Sequence, residues 1–160
     1  MRRRVQGVLL RVFGLLPRRA RRLVVHAVAP SFTVGAICVV ERADGRVLLV
    51  RLSYRRRWGF PGGLMKRRET IDEAARREVR EEVGLDIELV DEPAVVVAAG
   101  SRRVDVIYRA RVADGVDPDS AHPMSPEIVE VRWVDRRELP ELQHEAAGGL
   151  VALARRVGAD

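Results

Sequence analysis

Three glutamates, Glu78, Glu81 and Glu82, fall within a five-residue window. Their spacing is i, i+3, i+4, which on an α-helix brings the side chains to one edge. Like charges so placed repel. A hard cation such as Mg2+ or Mn2+ relieves that repulsion, because it takes carboxylate oxygens and keeps several waters. An ion held there would bridge phosphate oxygens and activate a water. Just upstream, Gly62 and Gly63 let the backbone approach an ion or a phosphate closely. The competing reading is an ordinary solvated helix face with Arg77 and Arg80 as partners. A bare REVREE would be read that way, since such strings are common on surface helices.

The element that must position these carboxylates is a helix over 71–83. Thr70 is its expected N-cap, Asp72 and Glu73 suit the positive end of the dipole, and Gly84 is the expected stop. Ile71, Ala75 and Val79 follow i, i+4, i+8 and form a narrow apolar stripe. The preceding loop, Met65 to Glu69, holds three consecutive bases. They are either phosphate contacts or an exposed turn. A positive φ at Arg68 would carry strain, because the residue is not glycine.

The whole stretch Gly63 to Leu85 reads GLMKRRETIDEAARREVREEVGL. It resembles the Nudix box, GX5EX7REUXEEXGU with U apolar, and matches at all nine specified positions. The preceding WGFPGG, Trp58 to Gly63, is similar to the segment that leads into the box in that family. With the glycines and Glu69 at the box distances, the resemblance outweighs the solvated-face reading.

The resemblance implies an α/β fold, a Nudix-type α/β/α sandwich with a mixed sheet. It implies metal ligation by Glu78, Glu81 and Glu82 with the Gly62 carbonyl, the metal being Mg2+ or alternatively Mn2+. Glu69 would pair with Arg77 and hold the loop against the helix. The attacking water would be deprotonated by a box carboxylate, Glu81, or by a glutamate from a later loop, Glu127 ahead of Glu130. Arg51 sits where such proteins place a phosphate-contacting arginine; the alternative is a surface arginine at a strand end. The implied partner is a nucleotide-type small molecule. The implied reaction is hydrolysis of a diphosphate linkage in a nucleoside diphosphate joined to another group. The alternatives are hydrolysis of modified nucleoside triphosphates to monophosphate and pyrophosphate, and a non-catalytic module that senses a nucleotide.

Ser31 to Arg42 and Arg46 to Leu52 read as a strand pair around the turn Ala43-Asp44-Gly45. In the basic loop that follows, Tyr54 and Trp58 would stack on a base, although for Trp58 packing is the stronger expectation. Asp86 to Val90 and Ala94 to Ala99 read as strands parted by Pro93, and Arg103 to Val112 as a further strand with Tyr108 half-buried. Residues 113–126 form a Pro-, Asp- and Ser-rich loop whose His122 is read as solvated. Glu127 to Val134 is the last strand, followed by a short helical turn from Asp135 and a terminal helix over Leu142 to Val157.

At 160 residues one catalytic domain is expected, over 31–160, after a basic extension at 1–30. The charge of +6 misleads as a whole-chain figure. Residues 1–22 hold eight arginines and no acid, and removing that +8 leaves −2. The basic character is therefore local, and no nucleic-acid-binding domain is inferred. Val5, Val8, Leu9, Val12, Phe13 and Leu16 lie on one face of a helix that Pro17 ends. This segment is too short and charged to span a bilayer, and Arg11 interrupts any signal-peptide core. It is either an interfacial helix on anionic lipid or a helix packed on the domain or on a second subunit. The expectation is a cytoplasmic protein, membrane-peripheral under the first alternative and a homodimer under part of the second. The lone Cys38, in an apolar run, is expected to be a core residue.

Overall fold

The structure is a computed structural model that describes residues 13–157. The chain divides into two units, 1–32 and 33–160. In the first, residues 13–15 are helical and the chain bends at Leu16. They are the part of the expected N-terminal helix that falls among the described residues; its remainder lies outside them. Pro17 then opens a helix absent from the sequence reading, α1 (Arg18–Val28). Proline cannot continue the helix before it, yet as a cap it lacks only an N–H that would be unpaired there anyway. Its carbonyl accepts from the Arg21 N–H at 3.0 Å.

The second unit is built on strands β1 (Thr33–Glu41), β2 (Arg46–Leu52), β3 (Gly62–Leu64), β4 (Ile87–Ala98), β5 (Arg103–Val112) and β6 (Ile128–Asp135), with helices α2 (Ile71–Val83) and α3 (His144–Val157). The sheet order is β4-β5-β1-β2-β6, with β3 beside β1. β1 and β5 are parallel and the other pairs antiparallel, so the sheet is mixed as expected. Alternation along the strands makes two cores. Ala36, Cys38, Val40, Leu48 and Val50 face α2, whereas Ile37, Val39, Val47 and Leu49 face the α3 side. The result is the α/β/α sandwich.

Two strands expected as separate are one. β4 runs through Pro93 with a register shift between Val90 and Ala94, where Asp91 has φ 60. β4 is at the sheet edge, where a missing proline N–H costs no ladder bond. The expected helical turn after Asp135 is only a turn, closed by the Glu138 N–H on the Asp135 carbonyl at 3.0 Å. Tyr108 is buried rather than half-buried.

The feature that positions the site is a fork between β1 and β2. The two strands pair in register at Glu41 and Val47, beside the turn. Further on, the segment Gly59 to Leu64 enters between them. Gly59 exchanges both backbone hydrogen bonds with Val50 at 2.9 Å, and Pro61 then accepts from the Cys38 N–H at 2.9 Å. β3 continues along β1 from Ile37 to Gly35.

Candidate active site

Helix α2 has the bounds its caps dictate. The Glu73 carboxylate accepts from the Thr70 backbone N–H at 2.8 Å, the reciprocal half of a capping box. At the other end Gly84 is left-handed, φ 74, and its N–H reaches the Arg80 carbonyl. Ala74, Ala75, Val79 and Val83 are fully buried against the sheet. Each valine so buried contributes about 1.5–3 kcal/mol.

That burial orients the acids. Glu82 lies eleven residues after Ile71, three helical turns, so it falls within the apolar stripe rather than beside it. It is 9% exposed. In the antiparallel ladder Cys38 bonds Pro61 and Val34 bonds Met65, so the hydrogen-bonding groups of Gly62 turn away from β1. The Gly62 N–H donates to Glu82 Oε2 at 2.9 Å. Burial pushes the Glu82 carboxyl up to about 8; the Gly62 N–H pulls it back, and the charges of Glu78, Glu127 and Glu81 add to the rise.

Gly62 and Gly63 are needed for different reasons. A Cβ on Gly62 would meet the Ala36 carbonyl oxygen at 2.2 Å, whereas one on Gly63 would meet the Glu78 carboxylate at 2.5–2.7 Å. Gly63 thus leaves the space that the Glu78 carboxylate fills. Glu78 also accepts from Arg77 at 2.7 Å.

Glu69 does what the resemblance implied. It accepts from Arg77 Nε at 2.6 Å, from Arg77 Nη2 at 3.0 Å and from the Lys66 backbone N–H at 2.8 Å. Arg77 further donates to the Leu64 carbonyl at 3.1 Å. The loop is tied to α2 at both ends. These bonds hold the Glu69 carboxyl down at about 2 and raise the Arg77 guanidinium. Arg68, in the same loop, has φ 68, the strained non-glycine position foreseen for it.

A cleft of about 410 Å3 opens between β1 and β2 at the fork. Glu78, Glu82, Glu127, Gly62 and Gly63 line it, together with Tyr54, Arg55, Arg103 and Gln143. Glu127 stands immediately before β6 and accepts from the Tyr54 hydroxyl at 3.3 Å. Of the expected ligands, Glu78, Glu82 and Gly62 therefore share one cavity with the expected base Glu127.

Glu81 does not line the cleft. It is exposed and takes Lys66 at 3.2 Å and Arg77 at 3.0 Å. Burial is the largest influence on its carboxyl and raises it, but those hydrogen bonds more than offset this, so it sits below the usual value. The convergence of all three glutamates expected from i, i+3, i+4 is thus incomplete: the neighbouring cations draw the third aside. Among the described residues, no three His, Cys, Asp or Glu side chains stand close enough to form a ready metal cage.

Arg51 is also elsewhere. It pairs with Glu130 at 2.8 Å, because β2 and β6 place these residues opposite each other, and it does not line the cleft. Glu130, the alternative base, is occupied by that pair and by Arg132. Trp58 packs against the core on the α3 side, with the Arg132 guanidinium 4.9 Å from its ring centroid. His122 is exposed, its Nδ1 2.7 Å from the Ser120 carbonyl.

The cleft arginines Arg55 and Arg103 and the amide Gln143 escaped the sequence reading. Arg55 contacts Gln143 at 3.0 Å and Glu145 at 3.3 Å; Arg103 contacts Asp105 at 2.6 Å. Only the basic character of the loop 53–57 pointed towards Arg55.

The donor set fits a hard divalent cation. It consists of carboxylate and carbonyl oxygens, and the buried Glu82 faces further acids whose repulsion a cation would relieve.

The chain matches the family model described as NUDIX domain over residues 31–154. A MutT-like protein of Streptomyces ambofaciens is 33% identical over 117 residues, 72% of this chain and 72% of that protein. An 8-oxo-dGDP phosphatase of Danio rerio is 34% identical over 118 residues, 71% of this chain but 35% of that protein. Among solved structures, a NUDIX hydrolase from Nitrosomonas europaea superposes with a TM-score of 0.65 at 27% identity, covering 75% of this chain and 68% of that one. With the box, the sandwich and these relatives in agreement, the chain belongs to the Nudix family of hydrolases.

Proposed function

We propose that the protein hydrolyses a phosphoanhydride bond of a nucleotide with the help of a divalent metal ion, Mg2+ or Mn2+. The observation that carries this is the meeting of Glu78, Glu82 and Glu127 in one cleft with Arg55 and Arg103. Glu78, Glu82 and the Gly62 carbonyl would hold the ion, joined by Glu81 on release from Lys66. When bound, the ion supplies Lewis-acid polarisation of phosphate oxygens and a water of lowered pKa. The chain does the rest. Glu127, steered by the Tyr54 hydroxyl, takes the proton of the attacking water. Arg55 and Arg103 offer N–H groups to the phosphates, and Tyr54, 66% exposed at the rim, offers a ring face to the base. Arg51 is left to fix β2 on β6.

For the substrate, the reading is a nucleoside di- or triphosphate with a modified base, ahead of a nucleoside diphosphate joined to a second group. The relative named for 8-oxo-dGDP supports this choice. A purely sensing module has no need of the complete set Glu78, Glu81 and Glu82. The test is product release, with Mg2+, from a panel of modified nucleoside di- and triphosphates, ADP-ribose, dinucleotides and nucleotide sugars. Fastest turnover of the modified nucleotides supports the reading. Fastest turnover of ADP-ribose or a nucleotide sugar moves the substrate to the other class. Binding without turnover across the panel establishes the sensing module.

A further inference from the structure

Helix α1 divides by residue type. Ala20, Leu23, Val24, Ala27 and Val28 follow i, i+3, i+4, i+7, i+8, one face of a helix. Arg18, Arg19, Arg21 and Arg22 fall on the rest of its circumference, with Val25 among them. The apolar face is wet: Leu23 is 72% exposed, Val24 40% and Val28 80%. Leu15, before the proline, is 86% exposed. No acid precedes Glu41, and the spacing from Val5 to Leu16 repeats the apolar period in sequence.

Whatever covers this face must answer both its apolar side chains and its arginines. A second copy would set one +8 segment against another, which repels. A nucleic acid would answer the charge and leave Leu23, Val24 and Val28 in water. Eleven residues make a helix about 16 Å long, roughly half the hydrocarbon thickness of a bilayer. Among the described residues, no helix is long and apolar enough to cross a membrane. An anionic lipid surface satisfies both demands.

We propose that α1 is a membrane-surface anchor. It lies in the plane of an anionic phospholipid leaflet, with Leu23, Val24 and Val28 at the acyl boundary and Arg18, Arg19 and Arg21 among the headgroup phosphates.

The full-length chain is sedimented with mixed phosphatidylglycerol–phosphatidylcholine vesicles and with phosphatidylcholine vesicles alone. It should pellet with the first only, and less as salt rises. Arg18→Gln and Arg19→Gln should each weaken partitioning about fivefold. The double variant Leu23→Ser/Val28→Ser, which leaves the charge unchanged, should stay in the supernatant while hydrolysing soluble nucleotide at the unaltered rate. Equal pelleting of that variant and the wild type overturns the proposal, because adsorption is then electrostatic alone. A wild type that ignores anionic vesicles overturns it too. So does a double variant that changes oligomeric mass or lowers Tm, since the face is then buried against protein.

Discussion

Two adjacent glycines should respond in opposite ways to the same methyl group. In Gly63→Ala the new Cβ would sit 2.5 Å from the carboxyl carbon of Glu78. Ordinary carbon contacts are about 3.5–4.0 Å, so the carboxylate must retreat by roughly 1 Å. It is the end of a flexible side chain, and an off-rotamer Glu78 costs only about 0.5–1.5 kcal/mol. Folding should therefore survive, while misplacing a reacting group by that distance costs about 100-fold in rate. In Gly62→Ala the Cβ would sit 2.2 Å from the Ala36 carbonyl oxygen and 2.9 Å from the Ile37 Cα. Both belong to the central strand β1, which cannot yield without parting from β3 or β5. Stability should fall by more than about 3 kcal/mol, beyond the ordinary range for a point substitution. Urea unfolding and kcat with saturating Mg2+ separate the two effects. Gly63→Ala with wild-type kcat would refute the placement of Glu78 in the reaction. Gly63→Ala that unfolds as readily as Gly62→Ala would refute the claim that only a side chain must move.

Glu78→Gln and Glu82→Gln should each lower kcat by orders of magnitude with Tm retained, and near-normal turnover in both would remove the carboxylates from the chemistry. Glu82 has a folded pKa of about 8 against an ordinary 4.5, so its unfolded form loses the proton first. In EDTA, Tm should therefore fall as pH rises from 4.5 through 8, and Glu82→Gln or added Mg2+ should flatten that limb; an unchanged slope in both counts against the buried carboxyl. Glu69 has the opposite sign, with a folded pKa of about 2 against 4.5. Its pair with Arg77 stabilises fully above 4.5 and is lost as pH falls towards 2, so a Glu69→Gln protein whose acid limb matches the wild type would show that the tie contributes nothing. Arg68→Gly should stabilise the fold by roughly 0.5–1 kcal/mol in urea unfolding, strain relief exceeding the added chain entropy; a loss of stability would mean that the Arg68 side chain is itself a needed contact.

Helix α2 was legible to the residue because everything that bounds it is local. Thr70, Glu73 and Gly84 act on backbone groups within one turn, and the apolar spacing from Ile71 to Val79 needs no distant partner. The Glu69–Arg77 tie was read from a resemblance, and both residues belong to that same short stretch. Burial of Glu82 was available too, from its position three turns after Ile71. Everything else at the site depended on which strands become neighbours. The pairing of β2 with β6 sets Arg51 against Glu130, seventy-nine residues apart in the chain, and so keeps it out of the cleft lining. The fork between β1 and β2 gathers Tyr54, Arg55, Arg103, Glu127 and Gln143 around the glutamates. Lys66, folded over α2 by the loop, turns Glu81 aside. Side-chain charges act through space at distances of a few ångströms, whereas sequence spacing reports distance only along a single helix or strand. The glutamate-bearing helix was therefore written in its own residues, and the cavity beside it came from the sheet.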